Sequence, residues 1–250
     1  HLMPINLIGV AISNAAFPQL TERLGEGRLD LFQKDLRSLL RIIFWMALPT
    51  SVVIFFTRGY IVHFIRNTGD QLMAGILGCL VVAILFRTIY HMAARAFYAR
   101  QDTKTPLYIS VFSISLNIAL AIILTMNLNM GAYGLAWAQS TVAVFEVVIL
   151  LLVMSKQMPR MFNRAFVKAI GKMIAASAVA GVVCYIGVSV MPFRDTDSSF
   201  FSAFPKFTII SIVSFGVYLL MSKLLRLPEV DPILKKGKKL LFGRLDGVWR

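Results

Sequence analysis

A chain of 250 residues that is 58% hydrophobic and only 15% charged is not an ordinary soluble domain, in which about a quarter of the residues carry charge. The formal net charge of +14 does not call for a nucleic-acid partner, because the basic residues are clustered between long apolar runs, the pattern of an integral membrane protein. Cys79 and Cys184 each lie inside an apolar run, which excludes a disulfide framework and a cysteine-based metal site, and residues 2–20 lack the basic start and small-residue cleavage site of a signal peptide.

Seven helices are predicted in chain order: 2–20, 40–65, 71–97, 106–127, 132–155, 168–191 and 204–222. The apolar runs are continuous rather than alternating, which excludes a membrane β-barrel. The fold class is therefore all-α integral membrane, a polytopic bundle of about seven transmembrane helices. The first helix is the most polar, with Asn6, Ser13 and Asn14 set between Pro4 and Pro18. The second contains MALPTSVVIFF, in which Pro49 is a candidate kink. The third carries Arg87 and His91, and the sixth the small-residue stretch MIAASAVAGVVCYIG. Beyond residue 222 a basic tail, with Leu234, Leu240, Leu241, Phe242 and Trp249 among its lysines and arginines, suits a short interfacial helix or a disordered arm.

The basic residues orient this bundle. Twenty-one of the 26 Lys and Arg fall in alternate loops and the tail, four (Arg58, Arg66, Arg194 and Lys206) in the loops between, and Arg87 alone within a span. The crowded face is cytoplasmic by the positive-inside rule, which places the C-terminus inside and His1 outside. An odd number of spans, together with a start that lacks an initiator methionine and lies in an apolar segment, leads us to expect an N-terminal portion upstream of this sequence. RAFYARQDTKTP (95–106) is then a cytoplasmic hairpin. Its Arg100, Asp102 and Lys104 are candidate rim anchors and gate partners. Thr105 is the expected N-cap, and Pro106 the first residue, of the next helix.

Ionisable and amide side chains inside spans are candidate functional groups. Gln139, Ala143 and Glu146 share one helix face, and Ser110, Ser113 and Asn117 share a face of the preceding helix. The depth of Asn117 is expected to fall between those of Gln139 and Glu146. Such a seam suits a cation or proton site built on Asn117, Gln139 and Glu146, or hydrogen bonding that only holds the bundle together. Arg87 is a contact for an anionic headgroup in an aqueous cavity, or a side chain that snorkels to the interface. His63 and His91 have no second ligand at metal spacing. There is no HEXXH, no Gly-rich phosphate loop and no histidine paired with a nearby acid, so the expectation is a transporter or scaffold and not an enzyme.

With the hairpin placed, the sequence resembles the MurJ/MviN family of lipid II flippases. PINLIGVAISNAAFPQLTE (4–22) resembles that family's eighth helix, MALPTSVVIFF (46–56) its ninth, FYARQDTKTP its signature between helices ten and eleven, and GAYGLAWAQS (131–140) the start of helix twelve. The resemblance implies one lobe of a two-lobed exporter of the multidrug/oligosaccharidyl-lipid/polysaccharide superfamily. Residues 1–156 would form the core of the C-terminal lobe, 157–222 two helices that make a lipid-tail groove, and 223–250 a cytoplasmic tail. It implies alternating access in the bacterial cytoplasmic membrane, moving an undecaprenyl-pyrophosphoryl glycopeptide from the inner to the outer leaflet. The implied partners are that lipid or a related polyprenyl-pyrophosphate lipid, membrane phospholipids and an N-terminal lobe, with no nucleic acid. Arg87 and Asn14 become candidate substrate contacts. No cofactor is implied, and Na+ or H+ is the candidate coupling ion. One departure stands out: relatives often carry a neutral polar residue where this chain has Glu146. The alternatives are a polysaccharide-lipid flippase or cation-coupled drug exporter of the same superfamily, and a non-transporting scaffold for cell-wall machinery.

Overall fold

In a run of about twenty apolar residues every backbone amide must find its partner within the protein, and the α-helix is the local solution. The computed structural model, which describes residues 5–66, 70–158, 161–192 and 200–230, is helical with no strand among those residues. A π-helical segment, Ile5–Val10, runs into α1 (Ala11–Gly25). Then follow α2 (Leu29–Phe56), α3 (Arg58–Arg66), α4 (Gln71–Ala99) and α5 (Lys104–Ile122), which continues as a second π-helical segment, Ile123–Asn127. The chain ends in α6 (Ala132–Gln157), α7 (Arg164–Val190) and α8 (Phe200–Leu224).

Among the described residues six helices are long and apolar enough to cross a membrane: α2, α4, α5 with its π-helical extension, α6, α7 and α8. The protein is a multi-pass membrane protein. The first expected span forms as helix over its described residues but is not one of the six, because α1 has only 15 residues, short of a bilayer crossing, and carries Asn14, Gln19 and Thr21. The second expected span is displaced. Its helix starts at Leu29, three turns before residue 40, so Lys34, Arg37 and Arg41 are helical and not loop residues. Hydropathy misses those turns because they are amphipathic: Phe32, Leu36, Leu40 and Ile43 are fully buried on one stripe while the basic residues lie off it. The same span breaks at Thr57, whose amide and hydroxyl both donate to the Val53 carbonyl, at 2.9 and 2.7 Å. The remaining helices match expectation within a turn or so. The interfacial helix expected in the tail lies almost wholly at residues 231–250, outside the described residues.

The charges expected on one face do gather at one end of the bundle. Arg37 Nε donates to the Met161 carbonyl at 2.9 Å, Lys172 Nζ to the Leu225 carbonyl at 2.9 Å, and Arg100 Nη1 to Gln157 at 2.6 Å. Arg41 pairs with Glu229 at 2.5 Å, and Arg23 lies 3.5 Å from Asp35. Beneath this end lies the largest core cluster, where Leu20 of α1, Leu36 and Leu40 of α2, Met92 and Phe97 of α4 and Leu150 of α6 are buried together. At the opposite end α6 starts close beneath the preceding turn: a Cβ at Gly134 would stand 2.8 and 2.9 Å from the backbone carbon and oxygen of Leu124, so this approach requires glycine.

Pro49 neither ends nor breaks α2. Its ring has no N–H to offer the carbonyl one turn back, that of Trp45. The Tyr218 hydroxyl of α8 donates to that carbonyl at 2.8 Å, and the indole Nε1 of Trp45 donates to Ser222 at 3.1 Å. Trp45 and Tyr218 are both buried, with ring centroids 5.5 Å apart. A residue that removes one backbone bond thus creates the attachment point for another helix. Tyr218→Phe is expected to cost about 1–3 kcal/mol, the penalty of an unsatisfied buried acceptor, and to lower the midpoint of thermal unfolding. In a Pro49→Ala background, where the Trp45 carbonyl regains a helical partner, the same substitution is expected to cost less than half as much.

Candidate functional site

The polar seam read from the sequence is a cavity. It measures about 330 Å3, and Arg87 and Tyr90 of α4, Ser110, Ser113 and Asn117 of α5, and Gln139 and Glu146 of α6 line it, with Ile114, Ile118 and Val142. Of the lining side chains only Arg87 and Glu146 are charged. The helices are antiparallel and their polar residues meet in two tiers. In one, the Arg87 guanidinium lies against the Gln139 amide, with Nη2 at 2.9 Å and Nε at 3.3 Å. A guanidinium has only donors, so the amide oxygen faces it. The Asn117 and Gln139 amides meet at 3.1 Å. In the other tier Tyr90 and Ser110 share a hydrogen bond of 2.8 Å, and Ser110 donates to Glu146 Oε1 at 3.4 Å. Asn117 is therefore level with Gln139 instead of lying between Gln139 and Glu146. Glu146 is only 5% exposed. Arg87 faces this cavity and does not snorkel along its helix. Tyr90 was not singled out in the sequence, although it lies three residues beyond Arg87 and so shares its face.

The hairpin is a four-residue link closed at both ends. Asp102 N–H donates to the Phe97 carbonyl at 3.0 Å and Gln101 N–H to the Tyr98 carbonyl at 2.9 Å, with Gln101 at φ 60°; this is the Schellman closure of α4. α5 begins at Lys104, not Pro106, and its N-cap position is Thr103, not Thr105; the capping side chain is that of Asp102, one residue earlier. One Asp102 oxygen accepts from the Thr105 amide at 3.1 Å and the other from the Thr105 hydroxyl at 2.7 Å. Thr105 is already inside the first turn, where Pro106 also fits because amides there need no helical acceptor. The Thr105 hydroxyl is the main cause that holds the Asp102 carboxyl below its usual range, with lesser help from the Thr105 amide, Gln157 and the Arg100 charge. Lys104 is exposed at the start of α5.

Asn14 and Arg87 belong to separate groups. Asn14 accepts a hydrogen bond from Arg95, whose guanidinium also lies 5.3 Å from the Phe17 ring. An apolar cavity of about 720 Å3 runs between α6 and α7, with Phe44 of α2, Val148 and Leu152 of α6, and Phe166, Ile170 and Ile174 of α7 among its walls. Helix α8 takes no part in it. It packs on the other flank of α7, where a Cβ at Gly187 would meet Ile210 at 3.3 Å. Among the described residues no group of three His, Cys, Asp or Glu is placed to hold a metal ion.

Known proteins are similar to this chain in fold and in sequence. A family model described as "Lipid II flippase MurJ" matches residues 1–205. A probable lipid II flippase MurJ of Thermotoga maritima is 28% identical over 243 residues, 95% of this chain and 46% of that protein. One from Rhizobium tropici is 20% identical over 246 residues, 96% of this chain and 46% of that protein. A solved structure of lipid II flippase MurJ in an inward closed conformation aligns with a TM-score of 0.71 at 24% identity, over 89% of this chain and 44% of that one, a likeness of fold. The chain spans about half the length of the curated relatives it matches.

The cap makes a direct prediction. Asp102→Ala is expected to cost about 1 kcal/mol at neutral pH, and Asp102→Asn, which keeps an acceptor, less. Because the carboxyl is held low, the stabilisation is present above the ordinary carboxylate range and is lost as pH falls through the lowered value. Thermal unfolding of the parent and the Ala variant should therefore converge in acid.

Proposed function

The chain belongs to the lipid II flippase MurJ family, and from that premise we propose that it works as the C-terminal lobe of a flippase for a lipid-linked peptidoglycan precursor. The observation that carries this reading is the family match over residues 1–205. In this reading an undecaprenyl-pyrophosphoryl glycopeptide passes from the inner to the outer leaflet of the bacterial cytoplasmic membrane by alternating access, with no covalent step. An N-terminal lobe supplies the other wall of the passage.

In this reading each part has a role. The polyprenyl tail stays in lipid along α7, whose cavity with α6 is lined mainly by apolar side chains, as an isoprenoid chain requires. Arg87 and Asn14 are the contacts this chain offers to the pyrophosphate headgroup. Arg100, Asp102 and Lys104 form the cytoplasmic rim, where the capped hairpin fixes the spacing of α4 and α5. Asn117, Gln139 and Glu146 are the groups through which a coupling cation, H+ or Na+, would act. The basic end of the bundle, C-terminus included, faces the cytoplasm.

Two experiments test this. The full-length gene is expected to sustain growth of a bacterium depleted of its own lipid II flippase; lysis despite normal membrane levels of the protein would overturn the assignment. In a cysteine-free background, Lys104→Cys is expected to resist a membrane-impermeant maleimide in cells with a permeabilised outer envelope, and to react once the inner membrane is opened. Labelling before that step reverses the orientation.

A further inference from the structure

The cavity between α4, α5 and α6 is lined by one fixed positive charge and one carboxylate, and the positive charge lies against the Gln139 amide. Arg87 lies 2.9 and 3.3 Å from the Gln139 amide oxygen, Asn117 meets the same amide at 3.1 Å, and Glu146 is buried on the same wall. A carboxylate in a membrane-spanning helix is costly unless a counter-charge shares its surroundings. A metal cation held by amide, hydroxyl and carboxylate oxygens would meet that need. Here a side chain meets it: the guanidinium engages the oxygen that such an ion would require and repels a second cation from the same space.

We propose that Arg87 is the resident counter-cation of this cavity. The packing of α4, α5 and α6 then needs no bound sodium. Loss of the guanidinium turns Asn117, Gln139 and Glu146 into a monovalent-cation site. This rests on the coupling-ion reading for the identity of the cavity and narrows it, because sodium is displaced by a tethered charge. It does not depend on which lipid is carried, since the test reads cation-linked stability and not transport.

The test uses the full-length protein in lipid nanodiscs, melted in sodium chloride and in choline chloride at equal ionic strength. The parent and Arg87→Lys are expected to melt at the same temperature in both salts. Arg87→Gln is expected to gain a saturable rise of about 3 °C or more in sodium, and Arg87→Gln/Glu146→Gln to lose that gain. A saturable sodium effect on the parent overturns the proposal, as does a folded Arg87→Gln variant with no sodium response. If Arg87→Gln fails to fold in either salt, the double variant decides. Its recovery supports the counter-charge role, and its failure shows that Arg87 acts through packing and hydrogen bonding instead, which overturns it.

Discussion

The constraint on which this structure depends is that a bilayer offers the backbone no hydrogen-bond partner, so each amide and carbonyl must be satisfied from within. Helices meet most of that demand, and the positions where they cannot are those where the protein builds its tertiary contacts. Pro49 withholds an amide from the Trp45 carbonyl, and Tyr218 of a distant helix supplies the missing donor. At the end of α8 the carbonyl of Leu225 receives Lys172. At the link between α6 and α7 the carbonyl of Met161 receives Arg37. Packing alone discriminates poorly between helices that are apolar on most faces, and these polar contacts fix which helix meets which.

The basic residues therefore have two roles. As charges they orient the chain. As donors they fasten helix ends to one another, so the end rich in Lys and Arg is also an end tied by inter-helix polar bonds. The interior follows a different logic. Its two polar tiers join α4, α5 and α6 through amides, hydroxyls, one guanidinium and one carboxylate, none of which a lipid-facing surface would tolerate at that depth.

Much of this was legible in the sequence. Continuous apolar runs and the distribution of basic residues gave the helices and their common end, because both are one-dimensional signals. The convergence of Ser110, Asn117, Gln139 and Glu146 followed from helical spacing and an antiparallel hairpin. What escaped has physical reasons. The first turns of α2 are amphipathic and charged, so hydropathy stops short of them. The two π-helical segments need one extra residue per turn and leave no compositional mark. The cap of α5 went to Asp102 because Asp102 and Thr105 are both good capping residues, and only the chain path decides between them. Arg87 could follow its helix to the interface or turn inward, and the choice depends on Gln139, a residue more than fifty positions away. The Arg41–Glu229 and Tyr218–Trp45 contacts join segments whose pairing no local pattern encodes.

The stiffness of the α4–α5 link bears on how the lobe deforms. With a Schellman closure on one side and the Asp102 cap on the other, the four residues between have little slack. Beyond them α5 is held chiefly by α6, and Leu107, Tyr108, Val111 and Phe112 lie bare. Such a rod swings from a pivot, and its displacement grows with distance. At about 1.5 Å per residue, Ser110 lies roughly 9 Å and Asn117 roughly 20 Å along the rod from the fulcrum. A small tilt thus strains the Asn117 tier about twice as far as the Ser110 tier, so the space between α5 and α6 unzips from its far end while the hinge side stays shut.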